Sequence, residues 1–201
     1  MRKAATARRM PRISRRRTRR CFAACEAFRR GAREVTHLFN AMAPMTHREP
    51  GLIGAALDND QVGVELITDG AHVHPAAVRA AFRLFENRIV LISDSMSATG
   101  AEDGDYTLGG IQITAQGGRA TVNNGRTLAG SVANLFDCMR SAVGMGVPLG
   151  QAVRSATTNP ARALGIQYDY GSLEPGKLAN ILLLDDDLNI NTIILRGRII
   201  D

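Results

Sequence analysis

Four side chains able to move protons or bind metal, His37, Asp69, His72 and Asp94, stand where short apolar runs give out on polar residues. The runs cover residues 35–40, 62–69 and 88–94; His37 to Asp69 is 32 positions and Asp69 to Asp94 is 25. Neutral imidazole is the commonest biological metal ligand, which makes His37 a candidate ligand, although a histidine among apolar strand neighbours is more often a satisfied core residue. Asp94 ends the most apolar run and precedes Ser95, Ser97, Thr99 and Gly100. A carboxylate there could take a proton from an attacking water and hand it to a leaving amine; the plainer alternative is a turn or helix-cap aspartate. Asp69-Gly70-Ala71-His72 reads either as an Asp-Gly turn or as a substrate loop with His72 as hydrogen-bond donor. Arg48 lies beyond the first run, and its planar fork suits a phosphate dianion, while an exposed Arg is usually a solvated charge. Asn40-Ala41 could add an amide and backbone N–H groups to the same anion, and Gly130-Ser131 at a helix start offers another oxygen-binding corner.

These residues need elements to hold them at one end of a sheet. A (β/α)8 barrel uses roughly 31 residues per strand and helix and carries its chemistry at the carboxyl ends of its strands. The spacing of the three runs fits that rhythm. Cys21 to Arg33 has helical spacing through Phe22, Cys25 and Phe28. His74-Pro75 opens a second helix with Val78, Phe82 and Phe85 on one face. After Gly100 come short alternating pieces separated by Gly109-Gly110, Gly117-Gly118 and Asn123-Asn124-Gly125, the signature of hairpins. Ser131 can then cap a helix through Val132, Leu135, Phe136, Met139 and Val143, a further helix starts near Pro148, and Asn159-Pro160 restarts a short one ending at Gly165. Ile181-Leu182-Leu183-Leu184 reads as a buried strand, and Arg196-Gly197-Arg198 as a tight turn between two more. The expected fold class is α/β: a partial (β/α)8 barrel of later strands, with a small β-rich module formed by the hairpins and the carboxyl-terminal strands.

The net charge of +6 over 201 residues is unevenly placed. Positions 1–20 hold nine Arg and Lys3 with no acid, so the other 181 residues carry a net −4. Such a block fits a nucleic-acid arm, an Arg-rich organelle presequence or an unstructured leader. It contains no aromatic for base stacking, which argues against a nucleic-acid partner. The organisation expected is a leader over 1–25, disordered or foreign to the rest, a partial barrel over 26–165 with a hairpin excursion at about 104–126, and terminal strands over 166–201. Three cysteines without a secretory signal argue against a disulfide framework and for a reduced, cytoplasmic setting. No apolar window is long enough for a membrane span.

Six stretches carry a specific resemblance. They are Thr36-His37-Leu38-Phe39-Asn40-Ala41-Met42, Arg48-Glu49-Pro50-Gly51, Asp69-Gly70-Ala71-His72-Val73, Ser93-Asp94, Thr127-Leu128-Ala129-Gly130-Ser131 and Gly171-Ser172-Leu173-Glu174-Pro175-Gly176-Lys177. In order and spacing over residues 26–201 the chain resembles the N-acetylglucosamine-6-phosphate deacetylases of the amidohydrolase superfamily, in its carboxyl-terminal portion. The resemblance implies removal of the acetyl group from N-acetylglucosamine 6-phosphate. It makes His37 a ligand of a divalent metal such as zinc, and Asp94 the acid/base that activates a metal-bound water. It implies that Asn40, Ala41 and His72 contact the sugar phosphate and that Leu128, Ala129 and Gly130 line the sugar pocket. Asp69 shares the His72 loop with a less defined role, and Arg48 reaches the phosphate of a neighbouring subunit's substrate, hence a homodimer.

The departures are as specific. The family's glutamate ligand, its other histidine ligand and the histidine that polarises the acetamide carbonyl have no counterpart here, and a zinc-type site needs about three protein ligands. The sequence therefore predicts an incomplete metal site and negligible turnover by the chain alone. The alternatives are a catalytically dead fragment or interaction module that pairs with another chain, or a nucleic-acid binder through the leader.

Overall fold

The computed structural model describes residues 19–122, 125 and 127–200; residues 1–18, most of the Arg-rich leader, lie outside the described residues. Strands β1 (Glu34–Val35), β2 (Gly63–Ile67) and β3 (Ile89–Ile92) form a parallel sheet in that order. The register sets Val35 beside Val64 and Ile89, and Leu66 beside Leu91. Residues paired in register point the same way, so these five share one face, and all are buried. The other face carries Glu34, Gly63, Glu65, Ile67, Val90 and Ile92.

The five core residues join one apolar cluster with α1 (Arg19–Arg29), α2 (Gly51–Leu57), α3 (Pro75–Leu84), α4 (Leu135–Gly144) and α5 (Leu149–Ala156). Phe28, Ile53, Val78, Met139 and Ala152 are the helices' contributions at its centre. β1 has only two residues, so its ladder bonds, worth about 0.5–1.5 kcal/mol each, matter less than burying Val35 and Leu38 at about 1.5–3 kcal/mol apiece. Helix α1 runs across residue 25, with Cys21 and Ala24 in the core on one side of that point and Phe28 on the other.

Helix α3 begins as its sequence dictates: Pro75 occupies the first turn and the His74 ring accepts from the Ala76 N–H at 3.2 Å. Helix α4 does not begin where expected. Ser131 accepts from Ala133 N–H, but the cap is Asn134, whose side chain accepts from Asp137 N–H at 2.9 Å. Helix α2 carries no side-chain cap and was not legible in the sequence. Its carboxyl end is gathered by Arg88, whose Nη1 donates to the carbonyls of Ala56, Asn59 and Val62 at 2.9, 2.7 and 2.9 Å, a cation set at the negative end of the helix. Helix α6 (Thr158–Ala163) follows α5, and its buried Asn159 donates to the Ile89 carbonyl at 2.7 Å.

The run expected as a strand over 35–40 stops at Val35. Leu38 N–H still donates to the Glu65 carbonyl at 2.7 Å, but Asn40 N–H turns back to the His37 carbonyl at 2.9 Å. His37, Phe39 and Ala41 take φ values of 37°, 75° and 50°, a conformation no strand can contain. His37 thus sits on a turn past the strand end rather than among strand neighbours.

Four antiparallel strands follow β3: β4 (Gly104–Leu108), β5 (Ile111–Gln116), β6 (Arg119–Val122) and β7 (Thr127–Leu128). Gly109-Gly110 and Gly117-Gly118 all have positive φ, as two-residue hairpin loops require. Ile113, Ala115 and Ala120 close over Met96 and Ala98 in a second, small cluster. At the carboxyl end β8 (Ile181–Leu184), β9 (Ile190–Leu195) and β10 (Arg198–Ile200) form a separate antiparallel sheet in the order β10-β9-β8. Among the described residues the hairpins and the terminal strands make two sheets with no ladder between them. Nor is β8 buried: Leu182 and Leu183 are 44 % and 48 % exposed. Among the described residues no helix is long and apolar enough to cross a membrane.

Candidate active site

The loop leaving β2 is wound around one carboxylate. Asp69 Oδ1 accepts from the N–H groups of Ala71 and His72 at 2.9 and 3.0 Å, the local turn that aspartate favours. Its Oδ2 accepts from the His72 ring Nδ1 at 2.7 Å and from the Ser131 hydroxyl at 2.9 Å. His72 Nε2 lies 2.9 Å from the Ala129 carbonyl oxygen. Both ring nitrogens face acceptors, a setting that only the imidazolium satisfies in full. The side chains of His72 and Asp69 are 7 % and 3 % exposed, so little of the pair meets water.

The electrostatics follow from that geometry. The hydrogen bond to Asp69 pushes the His72 ring up; burial opposes it, and the Ala129 carbonyl and the charges of Asp69 and Asp94 reinforce it. Burial would push the Asp69 carboxyl up, but the His72 ring and the N–H groups of His72 and Ala71 together hold it well below its ordinary range. Behind this loop Thr68, fully buried, donates to the Cys138 carbonyl at 2.7 Å and ties β2 to α4. Burial pushes the Cys138 thiol up to about 11, which keeps it neutral and unreactive.

Segment 129–131 meets the end of β3 as closely as that of β2. Ser131 N–H donates to the Asp94 carbonyl at 2.8 Å, and Met96 N–H donates to the Ser131 carbonyl at 3.1 Å. A Cβ on Gly130 would stand 2.6 Å from the Asp94 carbonyl oxygen, so only glycine allows the two chains to pass. Asp94 itself has φ 52° and an exposed side chain, with no side-chain hydrogen bond among the described residues. The structure thus brings together Asp69, His72, Ala129, Gly130 and Asp94. Leu128 lies next to them in β7, 38 % exposed.

The other candidates stand apart from this network. The Asn40 side chain donates to the Leu38 carbonyl at 3.2 Å, and Ala41 and Arg48 are exposed. Among the described residues no hydrogen bond or ion pair links the side chains of His37, Asn40 or Arg48 to Asp69, His72 or Asp94. His37 Nδ1 is buried without a hydrogen-bond partner. His72 and His74, two positions apart, do not form a ligand pair, because His72 is spent on Asp69 and Ala129 while His74 caps α3. Among the described residues no group of three His, Cys, Asp or Glu side chains could hold a metal ion.

Ser131 also belongs to this network, which the sequence does not announce. Gly130-Ser131 marks an oxygen-binding corner, yet its partner Asp69 is 62 positions away and no local signal announces the pairing.

Over residues 21–200 the chain matches the amidohydrolase family. It is 41 % identical over 174 residues to the N-acetylgalactosamine-6-phosphate deacetylase of Escherichia coli O157:H7, covering 86 % of this chain and 46 % of that one. It is 40 % identical over 171 residues to the N-acetylglucosamine-6-phosphate deacetylase of Vibrio furnissii, covering 85 % and 43 %. The crystal structure of N-acetyl-D-glucosamine-6-phosphate deacetylase from Mycobacterium smegmatis shares its fold with a TM-score of 0.84 at 39 % identity, covering 90 % of this chain and 49 % of that one. The chain spans about half the length of these relatives. A sequence match across nearly all the described residues, with the same fold at that identity, makes this chain a member of the amidohydrolase family, and the relatives it matches here are amino-sugar phosphate deacetylases.

Proposed function

We propose that this chain carries one side of the active site of a deacetylase that hydrolyses N-acetylglucosamine 6-phosphate to glucosamine 6-phosphate and acetate. The observation that carries the reading is the buried network in which Asp69, His72 and segment 129–131 meet the backbone of Asp94. It gathers the carboxyl ends of two neighbouring parallel strands, the place where such folds do chemistry. On this reading β1, β2 and β3 are three strands of a (β/α)8 barrel. Asp94 is the acid/base: its carboxylate takes the proton of the attacking water as the C–O bond forms and delivers it to nitrogen as the C–N bond breaks. Asn40 and Ala41 contact the sugar phosphate, His72 joins them when its Nε2 leaves the Ala129 carbonyl for the substrate, Asp69 fixes the His72 ring, and Leu128, Ala129 and Gly130 border the sugar. Arg48, exposed beyond β1, reaches the phosphate held by a second subunit.

Amidohydrolases use a divalent metal, and here the residues do not fit one: among the described residues no three His, Cys, Asp or Glu side chains come together at His37 or elsewhere, where about three ligands are needed. The expected rate of acetate release from the isolated chain is therefore negligible, with or without added zinc; an ordinary enzymatic rate would refute the deficit.

Sugar-phosphate recognition is testable on the chain itself by following its backbone amide resonances as N-acetylglucosamine 6-phosphate is added. Saturable shifts at 69–72 and 128–131 are expected, weakened by His72→Gln and not reproduced by inorganic phosphate. Parallel titration with the galactose epimer separates the two substrates named for the relatives. No saturable shift in either segment would sink the proposal.

A further inference from the structure

We propose that Ser131 is a positioning residue: by joining the Asp69 carboxylate through its hydroxyl and the Asp94 backbone through its amide, it sets the relative geometry of Asp94 and His72. The roles given to Asp94 and His72 are those proposed above.

Ser131 is 2 % exposed and uses every polar atom it has. Its N–H donates to the Asp94 carbonyl at 2.8 Å, and its carbonyl accepts from Met96 N–H at 3.1 Å and from the Thr99 hydroxyl at 3.0 Å. Its hydroxyl donates to Asp69 Oδ2 at 2.9 Å and accepts from Ala133 N–H at 3.0 Å. Ser95 and Ser131 also form an isolated parallel bridge. The two residues before it serve the same end. Ala129 holds His72 Nε2 at 2.9 Å, and Gly130 allows the close passage over the Asp94 carbonyl. Three consecutive residues therefore grip two loops that leave different strands. The Asp94 carboxylate makes no side-chain hydrogen bond among the described residues, so its direction is set through its backbone, at φ 52°, and that backbone is held by Ser131.

A hydroxyl that merely satisfied a buried acceptor would stabilise the fold without governing the pair, and His72 distinguishes the two roles. The ionisable groups facing its ring are Asp69 on its own loop and Asp94 beyond β3; segment 129–131 presents only a carbonyl, and the Cys138 thiol of α4, which faces Asp69, stays neutral. If Ser131 fixes Asp69, removing its hydroxyl loosens the contact between Asp69 and His72, and the ring loses proton affinity. If the hydroxyl only withdraws charge from Asp69 Oδ2, its removal makes that oxygen a better acceptor and the ring gains affinity. A purely structural hydroxyl leaves the ring unchanged.

The experiment is a ring-nitrogen NMR titration of the full chain, with His72→Gln assigning the resonance among the four histidines. In the parent, His72 should be mostly protonated at about pH 6.5, where an ordinary histidine is half neutral. A largely neutral ring there would overturn the proposal at once. Ser131→Ala should lower the His72 midpoint by about one pH unit, a tenfold loss of proton affinity, and Ser131→Thr should restore it. Asp94→Asn should lower the midpoint in the parent and lower it less in the Ser131→Ala background, because the fixed distance between the two groups has been lost. An unchanged or raised midpoint in Ser131→Ala, or an equal Asp94→Asn shift in both backgrounds, would overturn it. Should Ser131→Ala fail to fold, Ser131→Cys keeps the volume with a weaker donor and should show a partial fall; the parent midpoint in that variant would refute the idea. The titration requires no turnover, so its failure is separate from a failure of the proposed deacetylation.

Discussion

Glu34 and Gly63 face each other across the ladder of β1 and β2, and a Cβ on Gly63 would overlap the Glu34 carboxylate. Glycine there lets a carboxyl fold down onto the sheet face that also carries Glu65. Glu34 Oε2 is buried without a partner, and burial, with the Glu65 charge adding to it, pushes the group up to about 7. The folded value lies above the ordinary 4.5, so the folded chain holds a proton that the unfolded chain loses between about pH 4.5 and 7, and stability falls as pH rises through that window. Glu34→Gln should therefore change little at pH 4 and stabilise the chain at pH 8, on the order of 1 kcal/mol because Glu34 is partly rather than fully buried. Urea unfolding at both pH values measures this; equal effects at the two would mean that Glu34 titrates normally.

The Asp69/His72 pair has a different pH signature. Asp69 is held below its ordinary value, so its contribution is present above about pH 3.8 and is lost as pH falls through the lowered value. His72 is raised, so its contribution is complete below about 6.5 and is lost as pH climbs through the raised value. Both are in force near pH 5. Asp69→Asn should cost on the order of 3 kcal/mol there, as expected when one member of a buried pair is removed, and less at alkaline pH, where the ring is neutral in both proteins. A melting-temperature deficit independent of pH would contradict this assignment.

Residues that act locally were legible in the sequence. The polar stops of the second and third apolar runs located Asp69 and Asp94 at strand ends, Pro75 marked the start of α3, and paired glycines marked the hairpin turns. Residues that answer to distant partners were not. The turn at His37 is set by contacts with β2 at Glu65, and its three positive φ values run against local preference. Ser131 looked like a helix cap because its bond to Asp69 is not a local one, and the carboxyl end of α2 is tied down by Arg88 from beyond β2.

Arg88 provides a direct test of that last point. Its guanidinium bonds three carbonyls around the end of α2 and lies 5.2 Å from the centre of the Phe85 ring. Arg88→Ala leaves those carbonyls short of a donor and should cost on the order of 3 kcal/mol, with faster amide exchange over 54–62. Arg88→Lys should fall between, because an ammonium lacks the planar fork that stacks on the ring. Exchange that quickens throughout the chain, with no excess over 54–62, would show that Arg88 does not hold α2 in particular.

The carboxyl-terminal sheet predicts the chain's behaviour in solution. In register, Ile181, Leu183, Ile194 and Ile199 lie on one face, and Leu182, Ile193, Leu195 and Ile200 on the other. An antiparallel sheet with one face in water ordinarily alternates apolar and polar residues; here both faces are largely apolar, with Thr192 on the first and Arg198 on the second. Leu182, Leu183, Leu195 and Ile200 are each more than 40 % exposed, and Ile199 is 70 % exposed. Exposed apolar area of this kind drives association. The chain should bind a hydrophobic dye while folded and should self-associate with rising concentration. Leu182 and Ile200 both pair with Ile193, so Leu182→Glu with Ile200→Glu places two like charges in one cross-strand row. That double variant should shift sedimentation toward monomer with little loss of melting temperature, since neither side chain is buried. A parent chain that stays monomeric at high concentration and binds no dye would mean that this sheet is not sticky, whatever its composition.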